Sequence, residues 1–294
     1  TRTRPDAALA LMPLVGSMIS LCIGTSFAKT IFPVAGPAGT TALRIGLSAA
    51  AIIAMMRPWR WRVSADALRA AALYGVVLAC MNLSFYAALA HLPLGIAIAI
   101  EFTGPLGLAA WHSGRPRDAL WVALAAAGVA ILVLPGAGSG AAVPLRGVVL
   151  ALLAGAFWAA YIMIGKRATH HLPPRQVLCL GLAVAALIAV PAGLAQAGAA
   201  LWRPSVLAGG AVVALLSSLL PYFLELVAMR RLTTLVFGIG VSMEPAIGAL
   251  AAAIILGERL GHLQLAGIAA VTMASLGSAL TARPKDQPEA AQLP

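Results

Sequence analysis

The sequence predicts an all-α membrane protein of ten transmembrane helices, built as two inverted five-helix repeats with both termini cytoplasmic. Three observations lead to this class. First, 61% of the 294 residues are hydrophobic and 10% charged, too little polar surface to clothe a soluble globule. Second, the apolar residues come in runs of about 20, the length that crosses some 30 Å of hydrocarbon as a helix, and lack the alternation of barrel strands. Third, ten such runs fall into two sets of five around a Gly/Ala/Pro-rich stretch near residues 135–145. If two halves of five crossings are related, the second must lie upside down in the membrane relative to the first.

Taken in order, the expected spans are 8–30, 37–56, 68–90, 94–113, 119–135, 146–165, 176–196, 206–229, 234–256 and 261–282. The first run lacks an A-x-A-like cleavage site and reads as a retained helix instead of a signal peptide. Links such as His91-Leu92-Pro93 and Arg230-Arg231-Leu232 are short enough to permit only antiparallel neighbours. Residues 1–140 and 141–282 form the two repeats. The polar, proline-broken segment 283–294 reads as a disordered cytoplasmic tail, and no soluble domain is expected at either end. Ala- and Gly-rich stretches such as 123–128 and 249–253 are packing faces for close helix approach.

The formal net charge of +11 sits in the loops. With the N-terminus inside, the cytoplasmic side carries Arg2, Arg4, Arg57, Arg60, Arg62, Arg69, Arg115, Arg117, Lys166, Arg167, Arg175, Arg230, Arg231, Arg283 and Lys285. The outside keeps Lys29, Arg146, Arg203 and Arg259. That bias orients a membrane protein and points to anionic lipid as the charge partner, excluding nucleic acid. Lys29, at the outer end of the first span, either snorkels or guards the outer mouth, and snorkelling is the simpler reading.

An offset of 140 residues aligns 82–120 with 222–260 without a gap, pairing Ala88 with Ala228, Leu92 with Leu232, Pro105 with Pro245, Ala109 with Ala249 and Leu120 with Leu260. Pro105 and Pro245 both fall midway along their spans, and Asp118 and Glu258 end equivalent turns.

Four charges lie inside spans: Arg44, Glu101, Glu225 and Glu244. Each costs about 2.5 to 3.5 kcal/mol at the bilayer centre, so such residues face a partner or a wet cavity. A cavity is favoured for the acids as a group. Pro105 and Pro245 each remove the donor that the carbonyls of Glu101 and Val241 would have met, leaving acceptors beside Glu101, Ser242 and Glu244. Pro221, which frees Ser217, and Pro191 read as packing kinks. Helical spacing groups Trp158 with Tyr161, Asn82 with Tyr86, and Tyr222 with Glu225 as aromatic and polar walls for a small amphiphilic solute. Trp59, Trp61, Trp111 and Trp202 read as interfacial belt residues.

Cys22, Cys80 and Cys179 have neither CxxC spacing nor histidine neighbours and read as packing residues. No nucleophile elbow, P-loop or H-E-x-x-H is present, so no cofactor, metal or enzymatic step is expected. The partners are a small-molecule substrate and the lipid bilayer, with no obligate protein partner.

Leu92-Pro-Leu-Gly-Ile-Ala-Ile-Ala-Ile-Glu-Phe-Thr-Gly-Pro-Leu106, Ser242-Met-Glu-Pro-Ala246 and Leu256-Gly-Glu-Arg-Leu260 resemble the EamA-type, ten-helix members of the drug/metabolite transporter superfamily. With Thr41-Ala-Leu-Arg44 and Pro58-Trp-Arg60, the likeness is to its bacterial inner-membrane threonine/homoserine exporters, and it covers residues 8–282. The resemblance implies a multi-pass protein of the bacterial inner membrane with a central cavity walled by both repeats. Amino acids would be exported by alternating access, with Glu101 and Glu244 carried over from the family motifs. Multidrug or other metabolite export by the same fold is the alternative.

Overall fold

The structure, a computed structural model, describes residues 4–113, 116–134 and 143–282, and all its regular elements are helical. Arg2, Arg115, Arg283 and Lys285 of the charge pattern, the stretch 135–142 and the expected disordered tail at 283–294 lie outside the described residues, as do the side chains of Arg4, Arg117 and Arg230. Among the described residues eight helices are long and apolar enough to cross a membrane, and a further apolar helix, Asp118–Val133, is shorter. The long one among the eight, Leu11–Met56, conceals a reversal.

Helix α1 runs from Arg4 to Met56 and is broken at Gly36, whose φ of 67° and ψ of 172° are open only to glycine. Residues on either side of that break pack on the same neighbours. Ile31 and Leu43 meet the adjacent Gly209 and Gly210, while Gly24 and Arg44 both reach Ser217. The two segments of α1 are therefore an antiparallel pair folded about Gly36. Pro37 opens the second segment, where its missing N–H costs nothing. The orphan N–H groups of Ala38 and Gly39 donate to Gln196 Oε1 at 2.7 and 3.4 Å, so a side chain from another helix supplies the cap.

Helix α2 (Ala65–Leu89) starts on a Ser64 cap that accepts from Ala67 N. The span expected at 94–113 is two helices, α3 (Leu94–Glu101) and α4 (Thr103–Ser113), hinged at Phe102. Then follow α5 (Pro116–Val133), α6 (Leu145–Thr169) and α7 (Pro174–Ala197). The span expected at 206–229 is α8 (Pro204–Ala214), a wide π turn at Leu215–Leu219, and α9 (Leu220–Arg231). The span at 234–256 is divided into α10 (Thr234–Val241) and α11 (Glu244–Leu256), and α12 (His262–Thr281) closes the chain. Pro105 and Pro245 thus stand in the first turns of new helices instead of midway along continuous ones. A first turn has no acceptor for that donor to lose, which is why proline is tolerated there.

Glycine contacts define the packing. The first segment of α1 lies on the later helices: Gly16 against Leu224, Gly24 against Leu216 and Ser217, and Leu14 against Gly240. Helix α6 lies on the earlier ones, Gly147 against His91 and Leu92, Gly155 against the backbone of Glu101, and Gly165 against Tyr74. The second segment of α1 packs on α7 through Ala42 and Gly193, and α5 on α12 through Gly128 and Gly267. Each half of the sequence therefore gives its first membrane helix to the other half. Two bundles result: the first segment of α1 with α8 to α11, and α6 with α2 to α4.

Between those bundles, α3 packs on α11, with Gly95 against Ala249 and Ile98 against Gly248. Past the two hinges the partners separate. Among the described residues α4 and α10 form no comparable seam.

Candidate functional site

Arg44 is the best-held group in the protein interior. It is buried, 9% exposed, and every partner it has is neutral. Its Nε donates to Ser218 Oγ at 3.0 Å, Nη1 to Asn82 Oδ1 at 2.9 Å and Nη2 to the Ser217 carbonyl at 2.8 Å. The Tyr86 hydroxyl accepts a longer bond at 3.5 Å, and the ring centroid lies 5.4 Å from the guanidinium carbon. Asn82 is itself oriented by donating to Leu78 O. Among the described residues Arg44 forms no ion pair, so its charge is solvated by protein dipoles and not neutralised.

The Ser217 carbonyl is available because Pro221, four residues on, has no N–H to give it. The chain widens there into the π turn, a form that often marks functional positions, and Arg44 occupies the vacated acceptor. Pro221 is more than a packing kink. The sequence exposed the free carbonyl; that Arg44, some 170 residues away, would take it was visible only in three dimensions.

Glu101 ends α3 and is 9% exposed. Trp158 covers the hinge beside it, its ring edge-on to Phe102 with centroids 4.9 Å apart. Gly104 and Gly155 let the backbones of α4 and α6 touch at this point. Glu244 is the first residue of α11 and is partly exposed. Among the described residues neither carboxylate accepts a hydrogen bond or joins an ion pair. Glu101 is within electrostatic reach of Glu244 and Arg44, and Glu244 of Glu225 and Arg44. Two acids and one cation from three helices share one neighbourhood without closing on one another.

The remaining residues singled out from the sequence divide into two groups. Tyr222 lies within reach of Arg44 and Glu225, and Glu225 accepts a 3.0 Å bond from Ser17 Oγ on the facing segment of α1. Tyr161 pairs with Tyr74, their hydroxyls 2.6 Å apart and rings at 4.7 Å, with Tyr222 near both. These line up with the charged group. Ser242 turns away instead, donating to Gly238 O and accepting from Ser275 on α12. Tyr86 is fully buried and acts as a wall behind Arg44.

Ser17, Tyr74 and Ser218 were missed in the sequence, and Ser217 was marked only by the carbonyl that Pro221 frees. Serine is unremarkable in a close-packed span, and nothing local marks which ones face a charge. Lys29 does not snorkel. Its Nζ lies 2.7 Å from Glu258 Oε1 and donates to Leu92 O at 2.9 Å, because an opposite charge and a bare carbonyl lie within its reach.

A hollow of about 540 Å³ opens between α11 and α12, lined mainly by apolar groups such as Met243, Leu250, Leu265 and Met273, with Glu258 and Thr272 the polar exceptions. It contains none of the residues singled out for binding. With Leu250 and Met273 more than half exposed, it is an open, largely apolar groove on the outer surface of the bundle.

A polytopic helical bundle with broken spans and unpaired charges at their breaks is the architecture of a membrane transporter. The chain belongs to the EamA-like transporter family. A profile of that family matches residues 145–280, and relatives extend the match to nearly the whole chain. It is 46% identical over 275 residues to the threonine/homoserine exporter RhtA of Escherichia coli strain K12, covering 94% of this chain and 92% of that one. Against the threonine/homoserine exporter RhtA of Salmonella typhimurium strain LT2 the identity is 45% over 279 residues, covering 95% and 94%. A crystal structure of a protein 17% identical to this chain superposes with a TM-score of 0.57, covering 92% of this chain and 96% of the other. At that identity the likeness concerns the fold alone.

Proposed function

We propose that this protein exports amino acids of the threonine/homoserine kind from the cytoplasm across the bacterial inner membrane, by alternating access at a midplane site. The observation that carries the reading is the shared neighbourhood of Arg44, Glu101 and Glu244, a cation and two acids with no ion pair among them. An amino-acid zwitterion offers each its complement, carboxylate toward Arg44 and ammonium toward Glu101 or Glu244, and so offsets the burial of both. The naming of the 46% identical relatives as threonine/homoserine exporters supports the same cargo.

Ten crossings follow if the fold at Gly36 divides Leu11–Met56 in two and Asp118–Val133 spans a thinned or tilted path. The helix exchange supports the inverted repeat of residues 1–140 and 141–282. Adding 140 carries the hinge at Phe102 onto Ser242, and the contact of α6 with α2 to α4 onto that of the first α1 segment with α8 to α11. The units that rock are then the two exchanged bundles, not the two halves of the sequence. Orientation follows the basic loops, with both termini in the cytoplasm.

The test is counterflow in proteoliposomes with a panel of labelled amino acids. Saturable exchange of threonine or homoserine is expected. Exchange of lipophilic cations with none of the amino acids would replace this reading with multidrug export, and unsaturable flux would replace it with a channel.

A further inference from the structure

The seam between the bundles can be followed from one end to the middle. Glu101 and Glu244 lie at its hinge level; Ile98 meets Gly248 next, Gly95 meets Ala249 beyond it, and Leu94 meets Glu258 at the end. At that end the contacts change from apolar to charged. Lys29, on the first segment of α1, and Glu258, just past α11, pair at 2.7 Å within one bundle. Both then reach across to the other bundle. Lys29 Nζ donates to Leu92 O, and Glu258 Oε2 accepts from Leu94 N, each at 2.9 Å. The two backbone groups flank Pro93 in the turn between α2 and α3, so the ion pair grips both poles of a single turn. Its side chains are only 18% and 16% exposed, which strengthens charge-assisted bonds beyond their value in water.

We propose that Lys29 and Glu258 form a latch that keeps the outer end of the transport path shut. The latch rests on the alternating-access reading and on the orientation set by the basic loops. Nothing about it requires a particular cargo. While the grip holds, α3 stays on α11 and the site communicates with the opposite end, where α4 and α10 are apart. Outward opening requires the Leu92–Leu94 turn to leave the pair. Lys29 and Glu258 keep each other as partners when it does, so neither charge is stranded.

Cys22 is a built-in reporter. It is buried beneath the seam, its Sγ 3.7 Å from the position that a Cβ on Gly248 would take, next to Ile98. In a C80S/C179S background it is the sole thiol of the chain. Intact cells are treated with a membrane-impermeant thiol reagent and the labelling rate of Cys22 is read. Lys29→Gln and Glu258→Gln should each raise it about fivefold, the effect of losing one ion-pair contact. The double variant should label no faster than the faster single one, because the two groups act as a unit. Arg259→Gln, which removes a neighbouring charge outside the grip, should label as the parent does. Unchanged rates in both single variants overturn the latch, as does an equal rise with Arg259→Gln or a rise seen only from the cytoplasmic face. Absence of amino-acid counterflow with these rates as expected would overturn the proposed cargo and leave the latch standing.

Discussion

A guanidinium bound only to neutral acceptors is an unusual investment for a membrane interior. Arg44 has Asn82, Ser218 and the Ser217 carbonyl, each on a different N–H, and the planar fork is what lets all three be met together. Arg44→Lys keeps the charge but cannot span the three acceptors. It should lower the counterflow rate by more than about tenfold while the protein still reaches the membrane, as read by immunoblot and exchange assay. Ser218→Ala removes one bond worth about 1 kcal/mol. The expected result is a KM several-fold higher with little change in the maximal rate, and Ser218→Thr should restore it. Glu101→Gln preserves the shape of the side chain at the α3 hinge and removes its charge. Transport should fall with no loss of folded protein, and full activity in that variant would take Glu101 out of the site.

Among the elements, the broken helices matter most, and each break has an identifiable cause. Pro221 leaves the Ser217 carbonyl to Arg44, so Pro221→Ala returns a competing N–H four residues on. The π turn should tighten toward α-helix and the cargo KM should rise, while thermal stability in detergent stays level or improves. The hinge at Phe102 depends instead on backbone contact between Gly104 and Gly155. A valine at either position has nowhere to go, since the atoms it would meet are backbone. Overpacking of this kind costs about 1 to 3 kcal/mol, and Gly155→Val should lower the melting temperature of the purified protein measurably. The contrast between the two substitutions separates a break that serves a charge from one that serves close packing.

For the whole molecule, the helix exchange changes what rigid-body motion means here. The first segment of α1 packs with α8 to α11, and α6 with α2 to α4, so a reagent that ties Gly16→Cys to Leu224→Cys links residues within one bundle. Exchange should survive it. A link between Leu94→Cys and Glu258→Cys joins the two bundles at the latch and should abolish exchange, with recovery when a reducible linker is cleaved. Equal inhibition by both links would mean that the exchanged bundles are not the moving units.

Much of this molecule is legible one residue at a time. The apolar runs, the charges within them and the prolines at 105, 221 and 245 mark where spans lie and where their backbones are interrupted. These are local consequences of hydrocarbon thickness and of a missing N–H. The fold at Gly36 is local too, since only glycine enters that conformation, and it falls in the gap between the spans expected at 8–30 and 37–56. Partnership is another matter. Lys29 could have reached the interface, Pro221 could have marked a plain kink, and the two halves could have packed as separate bundles. Each was decided by which groups arrive within about 3 Å once the chain is closed, because hydrogen bonds and ion pairs act over that distance and carry no trace in the spacing of residues. The sequence by itself determined the class, the apolar runs and the candidate charges; the tertiary structure alone decided where those runs break into separate helices, who holds Arg44, who holds Lys29, and which helices belong together.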